Sequence, residues 1–445
     1  MTGQKLSTRV QKGEWSFVVL MFFYFFAVIT AFWILKPIKK ALFIDFYNVG
    51  GHSFDLFGWG LSGPQAEMIA KIGNMAVVFV AAVVFTWLSR TLRRQQLTYV
   101  FAAFCFVLLL MYRALLPNPS ESTVWSFYIF GDLYNSLMVA TFFAFLNDSV
   151  SPLDARRLYG PIILGGVSGG AFSSFFVRTQ IGNFEPTDWV LICAGMMIVI
   201  AAIAGAAGRW VNRWGAPTAM ETPIGAEEKK RSGVALEGAL LVFRSRYLLA
   251  IVGLVGIYEV VSQLLDYQFT ATVVHYVTGA TGEHFATVYA FTNIVALVVQ
   301  LFVTANVMSR FGVKAALLVM PVLILGASGL YLVLPILWVG SSLNTVDNGL
   351  NYSINQSARE SLYTPLSRDE KYKAKACIDM FLYRTAKVVA VGIALFLGAV
   401  IEEFTAVRVL SFLTILLALV WIGIARYAGD RFREMTEDSV ARDYR

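Results

Sequence analysis

The charges that matter in this chain lie inside its apolar stretches. Lys36, Lys39 and Lys40 close the first stretch, and Glu259 and Asp266 sit within the seventh. Asp148 ends the fourth as Asn147-Asp148, and Arg384 and Lys387 stand in the eleventh, just after Asp379. The tenth carries Asn344, Asp347, Asn348, Asn351, Asn355 and Arg359, and positions 344, 348, 351, 355 and 359 recur at helical spacing. Cations set beside carboxylates can bind phosphate: they take its oxygens through charge-assisted hydrogen bonds, and the carboxylates hold them when the site is empty. Each such charge must have a partner, a wet cavity or a function, because placing one at a bilayer centre costs at least about 2.5–3.5 kcal/mol. The alternative for the three lysines is snorkelling of their long stems to the outer headgroups.

About a dozen apolar stretches of roughly 20 residues position these charges, the length that crosses a bilayer as a helix. The expected spans are 15–43, 64–88, 97–116, 123–147, 160–178, 188–208, 247–275, 285–309, 314–333, 335–358, 376–400 and 405–426. Lysine and arginine follow the even-numbered spans, as at Arg93-Arg94, Arg156-Arg157, Lys229-Lys230 and Lys373, whereas loops 44–63, 179–187, 276–284 and 401–404 contain neither. Basic residues are held on the cytoplasmic side, so twelve spans with both termini cytoplasmic is the solution. Lys387 then lies some 12 residues, or ~18 Å, into span 11, too deep for comfortable snorkelling. Asp266 and a lysine of span 1 reach comparable outer depths, and a pair between them would offset the desolvation of both. The polar stripe of span 10 must face a cavity or another helix. Gly165, Gly166, Gly169 and Gly170 of span 5 form a small-residue face suited to close helix contact or to gating.

Composition closes off other classes. Of the 445 residues 57% are hydrophobic and only 15% charged, which leaves no room for a sizeable soluble domain. The net charge of +7 belongs to cytoplasmic loops and calls for no nucleic-acid partner. Cys105, Cys193 and Cys377 stand singly and read as free thiols. The short basic tail before span 1 is followed by a full-length span, which reads as a retained first helix with no cleaved leader or transit peptide. No phosphate-binding loop, dinucleotide fingerprint or zinc-protease motif occurs, and His52, His275 and His284 are scattered near outer loops, so neither an enzyme nor a metal or cofactor is expected.

Several segments resemble a known family. Glu360-Ser-Leu-Tyr363-Thr-Pro365-Leu366, the lysine-rich turn after it and Ala376-Cys-Ile-Asp379 occur in an order similar to that of the ATP/ADP translocases of plastids and intracellular bacteria. Leu35-Lys36-Pro-Ile-Lys39-Lys40-Ala-Leu42 resembles that family's first-helix motif, and Asn147-Asp148 with Arg156-Arg157-Leu-Tyr159 its segment after helix 4. The resemblance implies twelve spans and nucleotide exchange, with required lysines at Lys39 and Lys387 and required acids at Asp148 and Asp266. The chain departs from the family pattern in holding aspartate at both acidic positions, Lys40 in place of an acid, and Phe269-Thr270 where a Trp-Lys pair is expected. Those departures leave another nucleotide, or another phosphorylated or anionic metabolite, open as the cargo.

The fold expected is therefore an all-α, major-facilitator-like membrane protein of two six-helix bundles. Its parts would be a cytoplasmic tail (1–14), a first bundle (15–208), a central cytoplasmic loop (209–238), a second bundle (239–426) and a cytoplasmic tail (427–445). The function expected is secondary transport of an anionic, nucleotide-like solute by alternating access, by a monomer in a bacterial inner membrane. Lys36, Lys39, Asn351, Asn355, Arg384 and Lys387 would bind substrate, and Asp148, Asp266 and Asp347 would gate or couple. Two other readings stand beside it: a proton-coupled facilitator for an unrelated metabolite or drug, in which Asp148, Asp266 or Asp347 titrates, and a receptor or scaffold that transports nothing. The polar stripe of span 10 argues against the last.

Overall fold

The computed structural model describes residues 14–56, 58–150, 152–214, 245–279, 281–366, 370, 374–375, 378, 382–401 and 403–443. Side chains of Arg156 and Arg157, together with Cys377, Asp379 and most of the central loop, lie outside the described residues. The chain is helical nearly throughout. Six long helices come first: α1 (Trp15–Asn48), α2 (Gly63–Thr91), α3 (Arg94–Leu115), α4 (Glu121–Ser149), α5 (Pro152–Gln180) and α6 (Pro186–Trp214). They are followed by α7 (Arg246–Tyr276), α8 (Thr281–Val298), α9 (Thr304–Val333), α10 (Leu337–Leu350), α11 (Gln356–Ser361), α12 (Tyr383–Val400) and α13 (Glu403–Asp443). Among the described residues, ten helices are long and apolar enough to cross a membrane.

Local signals explain where these helices start and bend. Ser120 caps α4 by accepting from the Thr123 amide at 3.3 Å, and Ser245 caps α7 by accepting from Leu248 at 3.4 Å. Pro37 lies inside α1 between Lys36 and Lys39, where its missing N–H frees the Trp33 carbonyl. Gly312, at φ 79°, breaks α9 in a conformation that glycine adopts without strain. π turns interrupt the later helices: Val299–Val303 joins α8 to α9, and Asn351–Asn355 joins α10 to α11. Span 10 is thus one polar helix with an extra residue wound into its middle, a device that re-aims side chains at functional sites.

The all-helical expectation misses one element. Phe54–Leu56 (β1) and Trp59–Leu61 (β2) pair antiparallel, with Leu56 opposite Trp59, across a turn that places Gly58 at φ 87°. Hairpin turns of this kind need positive φ, and a three-residue strand carries too little alternation to read from sequence.

The chain forms two compact units. The first comprises 1–46, 73–223 and the α8 turn 285–290; the second comprises 47–72, 224–284 and 291–445. The first is filled by aromatic side chains such as Tyr24, Tyr134, Phe142, Phe145 and Trp189, all under 2% exposed. Phe25 stacks on Phe142 at 4.3 Å between ring centroids. The glycines of α5 are consumed by packing: a Cβ on Gly165 would lie 2.3 Å from the Phe22 carbonyl oxygen of α1, and one on Gly169 2.5 Å from that of Phe26. The second unit closes on Leu264, Tyr267, Tyr331 and Trp421. Outward faces are apolar in both, with Val80, Trp87, Phe302, Phe311 and Phe396 more than 60% exposed. Such surfaces suit hydrocarbon, where only a backbone satisfied within its own helix can stand.

Candidate functional site

In the first unit the site is built on α1. Lys39 is 4% exposed, and its ammonium pairs with the Asp132 carboxylate of α4. The same nitrogen donates to the Tyr128 carbonyl at 3.3 Å and lies 4.4 Å from the centre of the Tyr128 ring. Asn74 of α2 donates to the second Asp132 oxygen at 3.1 Å. Gly131 makes room for the stem, since a Cβ there would sit 2.5 Å from Lys39 Cδ. Lys36, one turn earlier, places its ammonium 4.3 Å from the Trp33 ring and 4.8 Å from the Tyr289 ring, and Lys40 lies 5.5 Å from that of Phe285. Lys39 thus has a carboxylate and an aromatic ring beside it, and Lys36 and Lys40 have aromatic faces. The lysines of this motif therefore lie inward, and Lys39 and Lys40 do not snorkel.

The second unit holds two further locks along α7. Asp266 pairs with Lys71 of α2, which also lies 3.9 Å from the buried Glu67 one turn before it. Asn344 of α10 donates to the other Asp266 oxygen at 3.4 Å, and its own carbonyl oxygen is buried with no hydrogen-bond partner. Two turns nearer the start of α7, Glu259 is 7% exposed, accepts from Gln263 at 3.1 Å and stands 3.5 Å from the Lys387 ammonium of α12. Between these locks Ser262 donates to Asp347 at 2.7 Å. Further along the stripe, Asn351 accepts from Asn355 at 3.2 Å and from Arg359 at 3.4 Å, while the Arg359 guanidinium covers the Tyr258 ring at 4.9 Å. The stripe of span 10 thus packs on a matching polar face of α7, as its composition requires.

The expected residues are distributed among these groups. Lys39 and Lys36 belong to the first, Asp266 and Lys387 to the two locks of the second, and Asp347, Asn351 and Asn355 to the stripe. Two lie elsewhere. Asp148 is exposed at the end of α4, where its main-chain carbonyl accepts from Arg94, and Arg384 is exposed in the first turn of α12. Sequence reasoning misses Asp132, Lys71, Glu67 and Asn74, which supply the partners. Asp132 carries a usable signal: it is a lone acid well inside the apolar run of span 4, under the same insertion cost that singles out Lys387. Lys71 stands near the start of span 2, where a lysine passes for an interfacial residue.

With a cation held by a carboxylate that also accepts from a neutral amide, each group can trade its internal acid for an external anion. A phosphate brings more charge and more acceptor oxygens than a carboxylate, so the exchange favours it. The sequence profile of the family described as TLC ATP/ADP transporter matches residues 121–432. ADP,ATP carrier protein 1 of Chlamydia muridarum (strain MoPn / Nigg) is 24% identical over 436 residues, covering 83% of this chain and 79% of the relative. The plastidic ATP/ADP-transporter of Solanum tuberosum is 21% identical, covering 93% of this chain and 73% of its own. Among solved structures, the nucleoside transporter NupG superposes with a TM-score of 0.62 over 93% of this chain and 99% of its own, at 12% identity, a likeness of fold alone.

Proposed function

This chain belongs to the TLC ATP/ADP transporter family, and from that premise we propose that it exchanges one adenine nucleotide for another across a membrane by alternating access. The observation that carries this reading is Lys39: an ammonium 4% exposed, pinned between the Asp132 carboxylate and Tyr128. A buried cation with an acid partner is costly to keep unless something exchanges with that acid. Within the first unit Lys39 and Lys36 bind phosphate, and within the second Lys387, Arg384, Asn351 and Asn355 do so. Asp132, Asp266 and Glu259 re-take the cations when the phosphates leave, Asp347 holds the stripe in place, and Asp148 serves as a gate at the end of α4. An empty carrier whose cations are all locked has no reason to reorient, which couples outward movement of one nucleotide to inward movement of another.

The proposed topology is twelve spans, with tails 1–14 and 427–445 and loop 209–238 on the cytoplasmic side and bundles at 15–208 and 239–426. The protein is proposed to act as a monomer in a bacterial inner membrane. Labelled ATP uptake into proteoliposomes tests the function. Uptake is expected only when the vesicles are loaded with ADP or ATP, and to be unaffected by an uncoupler. Uptake into empty vesicles that an uncoupler abolishes would replace this reading with a proton-coupled one.

A further inference from the structure

One group in the second unit is not used by this exchange. Below the π turn of the polar stripe, Arg359 lines a cavity of about 100 Å³ together with Glu360, Tyr363, Lys375, Ile378 and Tyr383. The guanidinium is fixed on two sides: Nη2 donates to Asn351 at 3.4 Å, and its plane lies over the Tyr258 ring. Its Nη1 is buried and has no hydrogen-bond partner. An ionised donor shut away from water without an acceptor is expensive to keep, and such groups point to something that is meant to bind. The second cation of the cavity, Lys375, is held at 2.5 Å by Glu360 and lies 5.1 Å from the Tyr363 ring. The cavity has the volume of roughly three water molecules, which suits a tetrahedral oxyanion.

We propose that this cavity is a phosphate subsite, in which Arg359 presents its unpartnered Nη1 to one oxygen and Lys375 leaves Glu360 for another. The proposal rests on the nucleotide reading and deepens it: a phosphoryl group of the cargo is held here, apart from the locks at Lys39, Asp266 and Lys387. Arginine supplies the planar fork that recognises phosphate with direction, and lysine supplies mobile charge. Glu360 is the competing occupant. It follows that Glu360 limits affinity, because every phosphate bound here must first displace it from Lys375. The same chemistry serves a terminal phosphate of a nucleotide and free inorganic phosphate.

Thermal-shift titrations of the purified full-length protein with ATP and with inorganic phosphate test the subsite. Arg359→Gln and Lys375→Gln are each expected to weaken both ligands at least tenfold, and Glu360→Gln to tighten both three- to tenfold. If only ATP responds to the three substitutions, the cavity serves the cargo's phosphate and not the free ion, which is the narrower form of the proposal. Phosphate and ATP responses that ignore both cation substitutions, or a Glu360→Gln change that weakens binding, would overturn it while leaving exchange by the chain intact. Should Arg359→Gln fail to fold, Lys375→Gln and Glu360→Gln still decide, because both residues lie towards the surface. Absence of any response to either ligand in the unaltered protein would overturn the nucleotide reading itself.

Discussion

Lys39→Ala is expected to lower nucleotide exchange at least a hundredfold. A charge-assisted hydrogen bond contributes about 1.5–3 kcal/mol, so losing two to a phosphate group removes about 3–6 kcal/mol, and each 1.4 kcal/mol is tenfold. The substitution also strips Asp132 of its cation and leaves that carboxylate with Asn74. Stability and function can therefore be separated with a second change. Lys39→Ala alone should lower the unfolding midpoint, because an acid has lost its partner in a half-buried position. Lys39→Ala with Asp132→Ala should recover most of that midpoint, since removing both partners removes the uncompensated charge. Exchange should stay absent in both. An exchange rate within threefold of the unaltered protein in either variant would make Lys39 a packing residue.

Asp266→Ala is expected to have the largest effect on stability as well as abolishing exchange. Its carboxylate holds Lys71 and receives the Asn344 amide. Without it, Lys71 keeps Glu67 at 3.9 Å, and Asn344, 1% exposed and already short of a partner for its oxygen, loses the acceptor for its nitrogen too. Breaking a buried pair costs about 3–5 kcal/mol, and the partial exposure of this one puts it at the lower end. For a domain of 150–250 residues about 3 kcal/mol is a drop of roughly 6–12 °C in Tm. The double variant Lys71→Met with Asp266→Leu replaces the pair by apolar groups of similar length and should restore most of that loss without restoring exchange. Full exchange in Asp266→Leu, or no recovery of Tm in the double variant, would contradict the role given to this lock.

Much of this site is legible in the residues because bilayer physics is severe. Lys39, Asp266 and Lys387 stand out by the cost of placing a charge in hydrocarbon, and each is found with an acid or base beside it. The stripe from Asn344 to Arg359 announces a polar neighbour through its period, and α7 supplies one. Pairing is what the residues alone leave open. Depth predicts a span-1 lysine beside Asp266; the structure sets Lys39 on Asp132 and Lys71 on Asp266, pairs that depth does not single out. Depth along a helix follows from counting, whereas the neighbour around it depends on rotation and on which helices adjoin, and counting gives neither. Asp148 illustrates the converse: the insertion cost singles it out with the others, but at the last turn of α4 its side chain is exposed. The hairpin at Phe54–Leu61 and the π turn at Asn351–Asn355 escape for a simpler reason. Each changes only a few residues, too few to leave a periodic signature.

Cations kept inward by internal acids should be there to receive phosphate, and everything proposed for this carrier depends on that. Thermal unfolding of the purified protein with ATP, ADP and adenosine measures it most directly. At a hundredfold excess over Kd a ligand adds about 2.7 kcal/mol, so ATP and ADP should raise Tm by roughly 5–10 °C while adenosine, which lacks phosphate, leaves it unchanged. Equal stabilisation by adenosine and ATP, or by neutral and cationic compounds alone, would contradict it.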